Sequence, residues 1–199
     1  AAVLAHEIAH VRHRHPAAAA GRGIAIGLVI TLLSSAVGNS VADGGGNRVA
    51  GRSGSDAITR FDASASACRF AGEVKGFNVE DYLPGKEARH MDTFIHFGLA
   101  AAMQAVQDAG LPVREALSEE AAERIGCLVG SGIGGLPMIE NTKAEYMERG
   151  PRRISPFFVP ASIINMISGH VSILSGFKGP NLAIVTACTT GLHSIGMAA

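Results

Sequence analysis

Apolar and polar positions along this chain follow two distinct periods. From Met91 to Gln107 the apolar residues Met91, Phe94, Ile95, Leu99, Ala102, Met103 and Val106 recur every three or four positions, a stripe that predicts an amphipathic helix. Gly110 and Pro112 stop it. A second stripe, Ile163, Ile164, Ile167, Val171 and Leu174, predicts a helix over Ala161–Leu174, with His170 on the same side as a core histidine. Short apolar runs predict strands over Arg69–Val74, Ile125–Val129 and Leu182–Ala187, the last of them buried. Ser118 is placed to cap a turn at Glu119–Glu120. Strands alternating with helices in this way predict an α/β fold.

The N-terminal pattern differs. Gly23 to Val37 is a mostly apolar run flanked by Arg22 and Asn39. It falls short of the roughly 20 residues that a membrane-spanning helix needs, so it predicts a core or interfacial segment. Asp43-Gly44-Gly45-Gly46-Asn47 predicts a flexible boundary, dividing a mostly helical segment over 1–46 from the main body over 47–199.

Charge narrows the partners. Lys plus Arg and Asp plus Glu both number 17, so the balance gives no case for a nucleic-acid or anionic-membrane partner. Three widely separated cysteines, Cys68, Cys127 and Cys188, form neither a disulfide framework nor a cysteine zinc site, and they suit a reducing, cytoplasmic setting. The 25 glycines suit a chain with many tight strand-to-helix turns.

One cysteine stands in a suggestive place. Cys188 follows the apolar run Leu182–Ala187 and precedes small residues that open a helix. A helix start presents unpaired N–H groups and a positive dipole end, both of which stabilise a thiolate. A free thiol with a pKa near 8.5 is only about 3% thiolate at neutral pH, so that help matters to a nucleophile. The plain alternative is a small buried core cysteine.

From Gly51 onward the chain resembles the N-terminal half of the elongating β-ketoacyl-acyl carrier protein synthases, of the synthase II type. The resemblance is carried, in the family's order, by Ile58-Thr59-Arg60-Phe61-Asp62, Gly130-Ser131-Gly132-Ile133-Gly134-Gly135, Ser155-Pro156-Phe157-Phe158-Val159-Pro160, Asn165-Met166-Ile167-Ser168-Gly169-His170 and Thr186-Ala187-Cys188-Thr189-Thr190-Gly191. It implies the N-terminal half of a thiolase-like αβαβα sandwich, normally a homodimer. It also implies ping-pong acyl transfer without a cofactor: Cys188 takes an acyl group from a carrier-protein or coenzyme A thioester. Decarboxylation of malonyl-carrier protein then supplies the carbanion that attacks it. Ile133 is implied beside the acyl chain and Phe158 as a gate near the nucleophile, against the alternative that both are ordinary core residues. The family's catalytic histidines and lysine lie in the second half of its fold, and none of the eight histidines here matches their motifs. This chain alone is therefore expected not to complete condensation. His193, five residues after Cys188 in the expected helix, is read as out of reach of the sulfur.

The first residues raise a second possibility. His6-Glu7-Ile8-Ala9-His10 spells His-Glu-x-x-His; on a helix both imidazoles share one face, where they can grip Zn²⁺ with Glu7 as general base. The segment resembles the metal-binding helix of the M48-type zinc peptidases, which makes the whole look like a chimera. That family's third ligand is a Glu on a later helix, and nothing after this segment resembles it, so weak or absent zinc binding is expected. A third reading is a non-catalytic piece with packing surfaces only.

Overall fold

The computed structural model describes residues 28–31 and 55–198. His6, Glu7, His10 and the glycine-rich boundary at 43–47 lie outside the described residues.

A three-stranded parallel sheet forms the centre. Strand β1 (Leu28–Thr31) falls within the apolar run at 23–37. The next two strands, β2 (Asp56–Ala57) and β3 (Phe70–Ala71), make a separate antiparallel ribbon. The strand expected over 69–74 is thus reduced to two residues, because Glu73 turns away to bind the other arm: its carboxylate accepts from Thr59 N–H at 3.0 Å and Thr59 Oγ1 at 2.7 Å. Strand β4 (Cys127–Gly130) pairs with β1 on one side and with β5 (Asn181–Leu182) on the other, in the order β1-β4-β5. All four β4 residues are buried, as expected of a central parallel strand.

Helices fill the connections. Helix α1 (Gly85–Ala88) is one turn long, and α2 (Thr93–Asp108) is the long helix of the first apolar stripe. Ile95, Leu99, Ala102 and Val106 are buried as the periodicity requires, whereas Met103 is exposed. Helix α3 (Glu119–Glu123) starts at Ser118, whose Oγ accepts from Ala121 N–H. After β4 come α4 (Leu136–Arg149), α5 (Phe158–Ser162) and α6 (Met166–Ser175), and α7 (Thr190–Ala198) follows β5. Among the described residues, no helix is long and apolar enough to cross a membrane.

The side-chain alternation of β4 sorts the layers. Cys127 and Val129 join Ile95, Leu99, Ile167 and Val171 in one apolar core, so α2 and α6 cover that face. Gly130 has the opposite sense and lies against Thr190, the first residue of α7. Helix α7 packs on β1 and β4 from that side. Helices α2 and α6 cross where Gly98 meets Ile167: a Cβ there would lie 2.5 Å from Ile167 Cγ2. Only glycine allows so close a crossing.

Two expectations need correction. The helix expected over Ala161–Leu174 is broken at Ile163, whose φ and ψ of −82° and 142° are extended. Ser162 Oγ donates to Phe158 O at 2.8 Å, closing α5, while Ser162 O turns out to accept from Gly135 N–H at 3.0 Å. The buried strand expected over Leu182–Ala187 pairs only through Leu182, and Leu182 and Val185 are both 51% exposed. β5 is an edge strand of the described sheet, and beyond Leu182 the chain must bend over the end of β4.

Candidate functional site

The bend after β5 is a strained turn stitched by threonines. Thr186, at φ −135° and ψ 40°, leads into a single 3₁₀ turn over Ala187–Thr189 that opens directly on α7. Ala187 has φ +51°, a left-handed conformation that costs an L-residue about 1–2 kcal/mol. Four hydrogen bonds hold it there. Thr186 N–H donates to Thr190 Oγ1 at 2.9 Å, and Thr190 Oγ1 donates to Ala187 O at 2.8 Å. Thr186 O accepts from Thr189 N–H at 3.1 Å and from Thr189 Oγ1 at 2.8 Å.

Cys188 is the middle residue of this turn and is exposed. The core-cysteine alternative therefore does not describe it. It lies two residues before Thr190, where α7 begins, and the N-terminal end of a helix favours negative charge. Cys127, six residues short of Ile133 on the adjoining strand, is the contrary case: burial pushes its thiol up to about 11. Cys68 is exposed and donates to Phe70 O at 3.4 Å.

The glycine-rich loop that leaves β4 lies between the Cys188 turn and α5. Gly130 presses against the Ile184 carbonyl and the Thr190 methyl, and a Cβ at Gly132 would meet Ala187 O at 3.5 Å. On its far side, Gly134 and Gly135 lie against Ser162. The loop thus touches the residue preceding Cys188 and the last residue of the helix that Phe158 begins. Ile133, at its centre, is 72% exposed, so no described residue closes over it. Phe158 is half-buried, and its neighbour Phe157 stacks on His90 with ring centroids 3.9 Å apart. Sequence reasoning brought Cys188, Ile133 and Phe158 to one region by resemblance; the contacts that join their three segments are backbone contacts through glycine.

Asp92 was missed. It is 5% exposed and its carboxylate serves two helices: Oδ1 accepts from Phe94 N–H at 3.4 Å, capping α2, and Oδ2 accepts from Met138 N–H at 2.7 Å in the first turn of α4. Its own N–H donates to Ala161 O at 3.2 Å. An aspartate just before Thr93-Phe94 was a legible N-cap signal; its second helix was not. His193 engages Thr186, with Nδ1 and Oγ1 2.7 Å apart in a shared hydrogen bond. His170 is half-buried, and burial lowers its pKa below 6.5 while Glu87 pushes the other way.

No group of three or more His, Cys, Asp or Glu suited to a metal occurs among the described residues. An open groove lined by Arg114, Glu115, Ile173 and Lys178 lies elsewhere, and neither Cys188, Ile133 nor Phe158 lines it.

Residues 34–199 match the family described as "Beta-ketoacyl synthase, N-terminal domain". The chain belongs to the β-ketoacyl synthase family. The match begins ahead of the Gly44–Gly46 break. Among curated relatives, a 3-oxoacyl-[acyl-carrier-protein] synthase 2 of Vibrio cholerae is 53% identical over 165 residues, covering 83% of this chain and 39% of that protein. The same-named protein of Staphylococcus aureus is 48% identical, covering 82% and 40%. The chain therefore spans about two fifths of the length of these synthases. Solved structures agree on the fold. A type II polyketide ketosynthase complexed with its acyl-carrier protein aligns with a TM-score of 0.58 and 25% identity, over 63% of this chain and 35% of that one. A β-ketoacyl synthase from Burkholderia phymatum aligns at 0.55 and 22%, over 74% and 36%. The α/β body is the N-terminal half of a thiolase-like ketosynthase fold.

Proposed function

We propose that this chain carries the acyl-accepting half of a 3-oxoacyl-[acyl-carrier-protein] synthase, with Cys188 as the nucleophile. The supporting observation is the placement of Cys188: exposed, in a strained strand-to-helix turn, at the start of α7. The Cys188 thiol ionises and its thiolate attacks the carbonyl carbon of an acyl thioester. The carbon–sulfur bond to the carrier or coenzyme breaks, and that sulfur leaves as a thiolate that takes up the proton Cys188 released, giving an acyl-cysteine. Backbone N–H groups at such a helix start suit the developing oxyanion. In the complete enzyme, malonyl-carrier protein then loses carbon dioxide and its carbanion takes the acyl group, giving the 3-oxoacyl product.

Ile133 and Phe158 flank the acyl chain in this reading, since the loop of one lies between the Cys188 turn and the helix of the other. The partner is acyl carrier protein, in keeping with the complexed ketosynthase that this chain resembles in fold. A homodimer fits the exposed Leu182 and Val185 beside edge strand β5. The setting is cytoplasmic, and no cofactor enters the reaction. His6, Glu7 and His10 have no part in it; equal zinc content in the chain and its His6→Ala variant would agree.

The test is intact-mass spectrometry of the chain after incubation with an acyl-carrier protein thioester. One acyl adduct should form, mapping to Cys188 and vanishing in Cys188→Ala. An adduct that persists in that variant overturns the reading.

A further inference from the structure

We infer that His193 is a positioning residue for the Cys188 thiol, acting through Thr186; this rests on the reading of Cys188 as the nucleophile. Every polar group of Thr186 is engaged: N–H to Thr190 Oγ1, O to Thr189 and Oγ1 to His193 Nδ1. The first two sets of bonds run from the Thr186 backbone to Thr189 and to Thr190 at the very start of α7, so they hold the main chain and leave the Thr186 side chain to a third partner. The bond to His193 reaches three residues further, into the body of α7. It is the one of these that holds the Thr186 side chain, and it adds an anchor about one turn further along a helix that packs on the central sheet.

That tie matters because the residue between Thr186 and Cys188 is strained. Ala187 at φ +51° will relax toward ordinary conformations if either flank is released. Relaxation there rotates the next residue, Cys188, away from the helix start. The downstream flank is held by Thr190, which is buried. The upstream flank has the backbone bond to Thr190 and the side-chain bond to His193. The imidazole thus holds the nucleophile's geometry through Thr186, to which its Nδ1 is bonded.

The experiment measures the rate of iodoacetamide alkylation at Cys188 across pH, in the full chain carrying Cys68→Ser to remove the other exposed thiol. His193→Ala should slow alkylation about ten- to a hundredfold with the pH profile in place and the unfolding midpoint unchanged. His193→Asn, whose amide reaches the position of Nδ1, should recover most of the rate, and Thr186→Val should match the loss. The double variant His193→Ala/Thr186→Val should be no slower than either single one, because both remove one bond. An unaltered rate in His193→Ala overturns the inference, as does additive loss. A shifted pH profile also overturns it, making His193 an electrostatic partner of the sulfur, and so does a rate loss matched by a fall in midpoint. If Cys188 in the parent chain reacts no faster than a free thiol, the nucleophile reading itself fails and this inference with it.

Discussion

Cys127 begins the central strand and Cys188 follows the neighbouring parallel strand, and the fold gives them opposite surroundings. Cys127 opens the central strand, opposite Asn181 of β5, with its side chain in the core shared with Leu99 and Ile167. Cys188 stands past the exit of the edge strand, exposed, where the chain has already left the ladder. The same thiol is an inert filler at one end and a candidate nucleophile at the other. Residue type is not what separates them; the difference is between the entry and the exit of a strand in an α/β sheet, where helix N-termini gather at the exit.

The sharpest way to break this contrast is to count thiols. Under native conditions, alkylation should reach Cys68 and Cys188, while Cys127 should react only on unfolding. With its thiol near 11, only about 0.1% of Cys127 is thiolate at about pH 8, before steric exclusion is counted. Burial and poor ionisation of Cys127 together should therefore make it react at least about a hundredfold more slowly than Cys188 by peptide mapping. Comparable rates would mean the entry and exit are not distinct environments.

Next in size is an effect that links the two strands. Gly130 ends β4 where β5's continuation folds over it, and a Cβ would strike both the Ile184 carbonyl and the Thr190 methyl. Backbone cannot step aside, so Gly130→Ala should cost about 1–3 kcal/mol by denaturant titration and also slow Cys188 alkylation. Gly132→Ala, whose nearest neighbour would be Ala187 O at 3.5 Å, should be close to neutral in stability. Equal costs would show that the turn does not rest on β4.

Much of this was legible in the chain, and the part that was not has a common cause. The α2 stripe, the β4 run and the Ser118 cap depend on local period and local bonding, which sequence displays directly. The break at Ile163 does not: it exists because Ser162 O is needed by Gly135, 27 positions earlier in the chain. The early end of β5 likewise follows from the turn having to cross Gly130. Cys188 could be singled out because a strand-to-helix junction is a local pattern. The clamp formed by Thr186, Thr190 and His193 could not, since threonines there read equally well as ordinary helix-start residues.

Asp92 offers a smaller test, confined to the loop side of the site. Its carboxylate caps α2 and also anchors the start of α4, where the glycine loop ends. Asp92→Ala leaves two half-buried N–H groups without their carboxylate partner and should cost about 2 kcal/mol. Asp92→Asn keeps one acceptor and should lose about half of that. Cys188 alkylation should change little in either, since the sulfur rests on the threonine clamp. A large rate loss in Asp92→Asn would show that the loop, and not the clamp, governs the thiol.

The smallest effect concerns pH and the other face of β4. His170 lies on α6, which covers the Cys127 side of the sheet. Burial lowers its pKa below 6.5, and the nearby Glu87 carboxylate offsets part of that shift. Because the folded chain resists protonation of this imidazole, the unfolded chain binds more protons in the window just below pH 6.5. The neutral form's contribution is thus intact above that value and is lost as pH falls through the folded pKa. His170→Asn should remove this component, flattening stability between about pH 8 and about pH 5.5. Glu87→Gln should act oppositely, lowering the His170 pKa further and steepening the loss at the acid end. If both variants follow the parent's profile, His170 is already solvated in the folded chain. The Cys127 face would then be wetter than the raised thiol implies, and the contrast between the two cysteines would narrow from the buried side.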